Sequence, residues 1–287
     1  MLDHPKIAAF MQTHARLLDR RRYAHLTGAG VDVRAALAAY RNPDGGYGSG
    51  LEPDLRDTAS QPVAALHAFE VFEELAPEPV PETTALCDWL GRITLPDGGL
   101  PFALPVRDPV GVASFFAAAD PAESSLHMTA MLAACAYRVA SYDPEVRDHP
   151  WLATATTYAM DRIRAMTTPG HALEYRFALQ LLDALGDTGE LERLGAYLPT
   201  SGYLPVEGGA EGEAMRPLDF APVPDRPIRT LFPADAVATE LDALAAEQRP
   251  DGGWTVDWSA YSPAADLEWR GWSTVRAVHI LRANGRG

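Results

Sequence analysis

Two kinds of apolar pattern alternate along the chain. Residues 82–94 (ETTALCDWLGRIT) set Leu86, Trp89, Leu90 and Ile93 on one stripe, and residues 235–248 do the same with Val237, Leu241 and Leu244. Apolar positions recurring every three or four residues predict helices with one buried face. Residues 62–75 (PVAALHAFEVFEEL) and 124–140 (SSLHMTAMLAACAYRVA) are apolar around most of their circumference instead. That pattern predicts buried helices, with Pro62 at a first-turn position and Ser124 or Ser125 able to cap. Helical spacing predicts further helices at about 4–20, 31–41, 150–166, 170–185, 189–197 and 264–283, and no segment shows the two-residue alternation of a strand. The predicted class is all-α.

Three tight turns punctuate this pattern: Asn42-Pro43-Asp44-Gly45-Gly46-Tyr47, Leu95-Pro96-Asp97-Gly98-Gly99-Leu100 and Arg249-Pro250-Asp251-Gly252-Gly253-Trp254. Their aspartates lie 53 and then 154 residues apart, and the second interval is close to three times 51. The chain therefore repeats about every 50 residues, with worn copies near 148 (DHPWL) and at 201–209 (SGYLPVEGG). Periods in this range mark architectures in which each repeat is one supersecondary unit. Here proline fixes φ on entry, aspartate bonds back to its own backbone, and the glycine pair supplies the positive φ that reverses the chain. Half-exposed and buried helices alternating at this period predict five or six helical hairpins in two layers. Six can close into an α/α toroid with no end to cap; an open solenoid is the structural alternative.

At 287 residues and 47% hydrophobic composition, the chain can bury a large core, either as one domain or as two small ones. A formal charge of −15 argues against a nucleic-acid or anionic-lipid partner, either of which needs a basic face. Lys6 is the only lysine, so nearly every positive charge is an arginine, through coding bias or a need for bidentate anion recognition. Cys87 and Cys135 both fall in helical patterns, which gives no support to a disulfide framework or a multi-cysteine zinc site. The opening MLDHPKIAAFMQTHARLLDRRR carries charge every few residues, and no run of ~18 apolar residues occurs. A reduced, cytoplasmic protein without a membrane span is expected.

Gln248, Gly252 and Trp254 fit Q-x-x-x-G-x-W, which resembles the QW repeat of squalene-hopene and oxidosqualene cyclases. The stretch DGGYGSGLEPDLRDTASQPVAALHAF is similar to the Gly-Gly loop and inner helix of protein prenyltransferase β-subunits. The likeness is strongest over 41–75, 95–137 and 248–284. It implies a single-domain (α/α)6 toroid over residues 1–287, but not one particular activity, because this fold class includes cyclases, zinc prenyltransferases and non-enzymatic domains. Two departures narrow what it implies. The D-x-D-D stretch of class II cyclases is absent, and Asp266 is followed by Trp269 and Arg270 where the prenyltransferases place a zinc-binding thiolate. No metal and no cofactor is expected.

In the implied toroid, buried-helix openings follow the Gly-Gly turns and face a central cavity. These openings carry Glu52, Asp54, Arg56 and Asp57, then Asp120, Glu123, Ser125 and His127, then Asp266, Glu268, Trp269, Arg270 and Trp272. One reading is an acid-lined aromatic cavity, with a buried carboxylic acid as proton donor and indole faces stabilising the cation. The other is acids complementing helix dipoles, worth about 0.3–1 kcal/mol each. Asp54 and Glu268, 214 residues apart, are the expected catalytic pair in one shared cavity. Glu52, Arg56, His127, Trp258, Trp269, Arg270 and Trp272 are the expected substrate-binding residues. His67, His127 and His279 equally fit hydrogen-bonded core positions. The segment 199–233, with seven prolines and no helical stripe, is expected to cover one mouth of the ring and add Asp219 and Phe220 to the site. Together these features suggest a small terpenoid-cyclase-like enzyme that takes an apolar isoprenoid or polyene through metal-independent, acid-initiated cyclisation or isomerisation. A carbohydrate hydrolase or lyase with paired carboxylates, and a non-catalytic binding toroid, are the alternatives.

Overall fold

The computed structural model describes residues 2–287. Its first half carries α1 (His4–His14), α2 (Leu17–Leu26), α3 (Val33–Leu37), α4 (Pro62–Glu74), α5 (Pro81–Ile93), α6 (Ser114–Ala117) and α7 (Leu126–Ala140). The second half carries α8 (Pro144–Arg147), α9 (Pro150–Ala165), α10 (Ala172–Leu185), α11 (Thr188–Gly195), α12 (Pro217–Phe220), α13 (Ala234–Ala246) and α14 (Pro263–Ala283). Among the described residues the strands are two antiparallel pairs of two residues: β1 (Leu100–Pro101) with β2 (Ser124–Ser125), and β3 (Leu204–Pro205) with β4 (Ala214–Met215). The class is all-α, and no described helix is long and apolar enough to cross a membrane.

Local chemistry sets the helix starts. Proline opens α4, α5, α9 and α14, at a position whose N–H has no intrahelical partner in any case. Ser125 caps α7 by accepting from the Met128 amide at 3.2 Å. The helix expected over 4–20 is two helices, broken at Ala15 and Arg16, which are extended. Arg16 leaves the helical path so that its guanidinium can donate to the Gly50 and Leu51 carbonyls and to Asp19. Tertiary bonds override propensity there.

Burial follows the two apolar patterns. All of α7 is buried except His127, Tyr137 and Arg138, whereas α5 buries one stripe formed by Thr83, Leu86, Cys87, Trp89 and Leu90. Helix α4 packs on α2 and α7, α7 on α10, α10 on α12, α12 on α13, and α14 on both α13 and α2.

The three tight turns share one bonding scheme. Asp44, Asp97 and Asp251 each accept from the amide of the second glycine at 3.0–3.1 Å. Each also accepts a second donor from the buried helix that follows or its opening: Ser60 before α4, Ser124 before α7, and Arg270 within α14. The expectation that the glycine pair jointly supplies positive φ is corrected. Only the first glycine does so, with φ of 91°, 91° and 99° at Gly45, Gly98 and Gly252. The second is needed for close packing: a Cβ on Gly253 would lie 2.8 Å from the Phe10 ring, and one on Gly46 2.6 Å from Trp89. The residue that follows is buried in all three, and the Leu100 and Trp254 amides bond Thr129 and Thr274 on α7 and α14. Gln248 ties the last turn to the chain start, accepting from the Asp3 amide at 3.1 Å and donating to the Gly252 carbonyl.

A Cβ on Gly252 would lie 2.2 Å from the Lys6 carbonyl oxygen, whereas Gly28, with φ of 90°, faces open space. Gly252→Ala is therefore expected to cost more than about 3 kcal/mol and Gly28→Ala about 1 kcal/mol. Asp251→Ala should cost about 1–2 kcal/mol. Urea unfolding checks the ranking, and equal losses at 252 and 28 would contradict it.

Candidate functional site

A cavity of about 360 Å³ lies between α4, α7, α10 and α14. Each helix turns a polar stripe toward it at helical spacing: His67, Glu70 and Glu73 on α4, Cys135 and Arg138 on α7, and Arg176, Gln180 and Asp183 on α10. Helix α14 adds Trp269, Trp272 and His279, and the loops add Glu52 and Trp258. The proline-rich segment closes one side with Phe220 through Val223, Arg226 and Ile228. Asp183 anchors that segment, accepting from Arg226 at 2.8 Å and from the Ile228 amide at 2.9 Å.

The ions in this wall are paired. His67, almost fully buried, is bonded by Glu52 at 2.9 Å through Nε2 and by Glu70 at 3.3 Å through Nδ1. Burial opposes charge on the imidazole, but the two carboxylates outweigh it and raise its pKa to about 9. Burial likewise works against ionised Glu70, yet His67, Arg22 and the Trp272 indole together hold it down at about 2. Arg22 reaches from α2 to bond Glu74 at 2.7 Å and Glu70 at 3.3 Å. Glu73 behaves oppositely. Burial raises its pKa, and the Arg138 bond at 2.8 Å only partly offsets this. Its Oε1 is buried without a partner. His279 also lines the cavity, and burial lowers its pKa.

Three indoles form the aromatic end: Trp258 and Trp269 have ring centres 5.0 Å apart, and Trp269 and Trp272 5.4 Å. Asp54 fixes the Trp269 indole N–H at 2.8 Å and Glu70 fixes that of Trp272 at 2.8 Å. A second cavity of about 450 Å³ adjoins the first, and Arg176, Trp258 and Trp272 line both.

The fold brings Asp54 and Glu268 to one junction, but neither is among the cavity-lining residues. Asp54 uses its two carboxylate oxygens on the Tyr261 amide and the Trp269 indole, and Glu268 pairs with Arg56 at 2.7 Å. Both therefore hold loop and helix together beside the wall. Burial raises the Asp54 pKa despite these bonds. Arg270 is likewise structural, paired with Asp251 and lying over the Phe10 ring at 4.6 Å. His127 does not itself line the cavity; it stacks on Phe177, which does, with ring centres 5.0 Å apart, and lies 5.5 Å from the Phe102 ring. Burial takes its pKa down to about 3. Glu52, Phe220, Trp258, Trp269 and Trp272 line the first cavity, and Asp219, bonded to Arg276 at 2.6 Å, lines the second. Sequence reasoning missed Glu70, Glu73, Arg138, Arg176 and Asp183. The signal for them was a charged stripe on helices otherwise too apolar to meet water.

Among the described residues no three His, Cys, Asp or Glu side chains converge in a group able to hold a metal ion. No family model matches the chain, and no curated protein matches it.

The His67 cluster makes stability depend on pH in both directions. His67 binds its proton more tightly when folded, so its contribution is complete below about pH 6.5 and disappears as pH rises through about 9. Glu70 contributes fully above about pH 4.5 and loses that contribution as pH falls toward about 2. Unfolding free energy should fall between pH 6.5 and 9 in the native sequence and be flatter over that range in His67→Gln. Parallel curves would show that His67 is not charged in the fold.

Proposed function

We propose that the chain is an (α/α)6 toroid of the kind it resembles, and that its central cavity binds a compact hydroxylated ligand of the sugar class. Chain order offers six successive helix pairs, α1 with α2, α3 with α4, α5 with α7, α9 with α10, α11 with α12 and α13 with α14, of which the first, second and last pack together. Their contacts run from α2 through α4, α7, α10, α12, α13 and α14 back to α2. Helix α12, only four residues long, stands where the proline-rich segment replaces a buried helix.

The observation that carries the ligand reading is the lining, three indoles facing paired ions. Indole faces suit the C–H face of a sugar ring, and ions with spare lone pairs and N–H groups suit hydroxyls. A polyene in the same space would strip water from those ions and return no hydrogen bonds. The isoprenoid expectation is therefore less well supported than its carbohydrate alternative.

The reaction supported best is acid-assisted hydrolysis of a glycosidic bond. Glu70 and Glu73 sit three residues apart on one helix with pKa values pushed in opposite directions, the arrangement that separates an acid from an ionised partner. Glu73 donates its proton to the departing oxygen as the C–O bond breaks, and ionised Glu70 stabilises positive charge growing on the ring. His279, at the edge of the cavity, takes a proton from the attacking water.

Tryptophan fluorescence tests the reading, with maltose and cellobiose as polar probes and farnesol as the apolar one. A disaccharide should produce a saturable change that weakens about tenfold in Trp258→Ala, or roughly 1.4 kcal/mol, while farnesol produces none. Saturation by farnesol alone would overturn it. Glu73→Gln should abolish hydrolysis of the bound disaccharide and leave its Kd within about threefold.

A further inference from the structure

Of the arginines lining the two cavities, four are matched by carboxylates: Arg138 by Glu73, Arg226 by Asp183, Arg216 by Glu247 and Arg276 by Asp219. Arg249 is exposed to solvent. Arg176 is the exception. It projects from the second turn of α10 into the wall shared by both cavities, and its Nε is screened from solvent without a partner. Its one polar contact is a long approach of a terminal nitrogen to the Met215 sulfur at 3.9 Å. The nearest carboxylates are already engaged. Asp219 accepts from Arg276 and from the Arg216 amide, and Glu70 accepts from His67, Arg22 and Trp272.

The Phe177 ring lies below the guanidinium, 4.8 Å away, and Arg176 lines both cavities together with Trp258 and Trp272. Burial, only partly relieved by Asp219, lowers the Arg176 pKa to about 10, so the side chain is charged at neutral pH but poorly solvated. Arg176 is half-buried with its Nε screened from solvent, and an ion left unpaired in such a place is disfavoured, so its guanidinium is a ready bidentate receptor for an oxyanion. The other cavity arginines, Arg249 apart, each bond an acidic side chain, which leaves Arg176 as the guanidinium without one in the wall shared by the two cavities.

We propose that Arg176 is an anion subsite. On the sugar reading, on which the fuller form of this inference rests, the ligand is a sugar that carries an oxyanion, either the carboxylate of a sugar acid or a phosphate ester. The ring lies against Trp258 and Trp272 and its anionic group reaches Arg176, which lines the same two cavities.

Thermal-shift and calorimetric titration of the intact chain test this with glucuronate and galacturonate, glucose 6-phosphate and galactose 6-phosphate, and the two neutral parent sugars. Inorganic phosphate and acetate serve as bare anions. At least one anionic sugar should bind at least tenfold more tightly than its neutral parent, and whether it is a uronate or a phosphate identifies the group. Arg176→Met should abolish that preference, leave neutral-sugar affinity within about twofold, and hold or raise the melting temperature, because it removes a charge that no protein group compensates. Arg176→Lys should recover part of the preference. Equal binding of anionic and neutral sugars, or a preference that survives Arg176→Met, would overturn the subsite while leaving the sugar reading intact. Stabilisation by phosphate or acetate that depends on Arg176, with no sugar bound, would uphold the subsite and reject the sugar. No response to any probe would overturn both.

Discussion

At three reversals of this chain one carboxylate closes the turn twice. In the three tight turns an aspartate bonds its own backbone two residues on and also reaches the next buried helix or its opening. The first bond shapes the turn, and the second fixes where the helix begins in two of the turns and how α14 is rotated in the third. Helix starts decide which residues face inward, because a slip of one position rotates a helix by about 100°. With Asp44 holding Ser60, His67, Glu70 and Glu73 fall on the cavity side of α4. With Asp251 holding Arg270, Trp269 and Trp272 meet them from α14.

The cavity is costly to build. Moving ions from water into a protein interior is repaid only when the geometry is good and the remaining donors and acceptors are satisfied. Glu52, His67, Glu70, Arg22 and Glu74 meet that condition as one chain of contacts from the loop through α4 to α2. Aliphatic residues of similar size would have packed the space at less electrostatic expense. Ions are retained there nonetheless, with Glu73 Oε1 and Arg176 Nε left without partners, and this is the ground for proposing a ligand site.

Much of the fold was legible because its signals are local. Apolar periodicity located α4, α5, α7, α9, α10, α13 and α14 within about two residues, and the repeated Pro-Asp-Gly-Gly marked the turns. The break at Ala15 was not legible, since it depends on Arg16 reaching carbonyls 34 and 35 residues away. At the site, the aromatic part was readable: Trp258, Trp269, Trp272 and Phe220 line the cavity as expected. The acids singled out in the sequence do not line the cavity: Asp54, in the loop before α4, and Glu268, in the second turn of α14, bond backbone, indole and guanidinium groups at the junction between segments. Glu70 and Glu73, deep in α4, and Arg176, in the second turn of α10, line it instead. Charge inside an apolar helix carries more functional information than charge at its first turn, where the dipole already explains it.

Hydrogen exchange read by mass spectrometry, with and without a saturating sugar, tests most directly whether the cavity is where this protein meets its ligand. The account predicts slowed exchange in residues 66–74, 176–183, 220–228 and 258–279, which wall that space, and no change in α5 and α9. Protection confined to α5, α9 or other surfaces outside the cavity would contradict it.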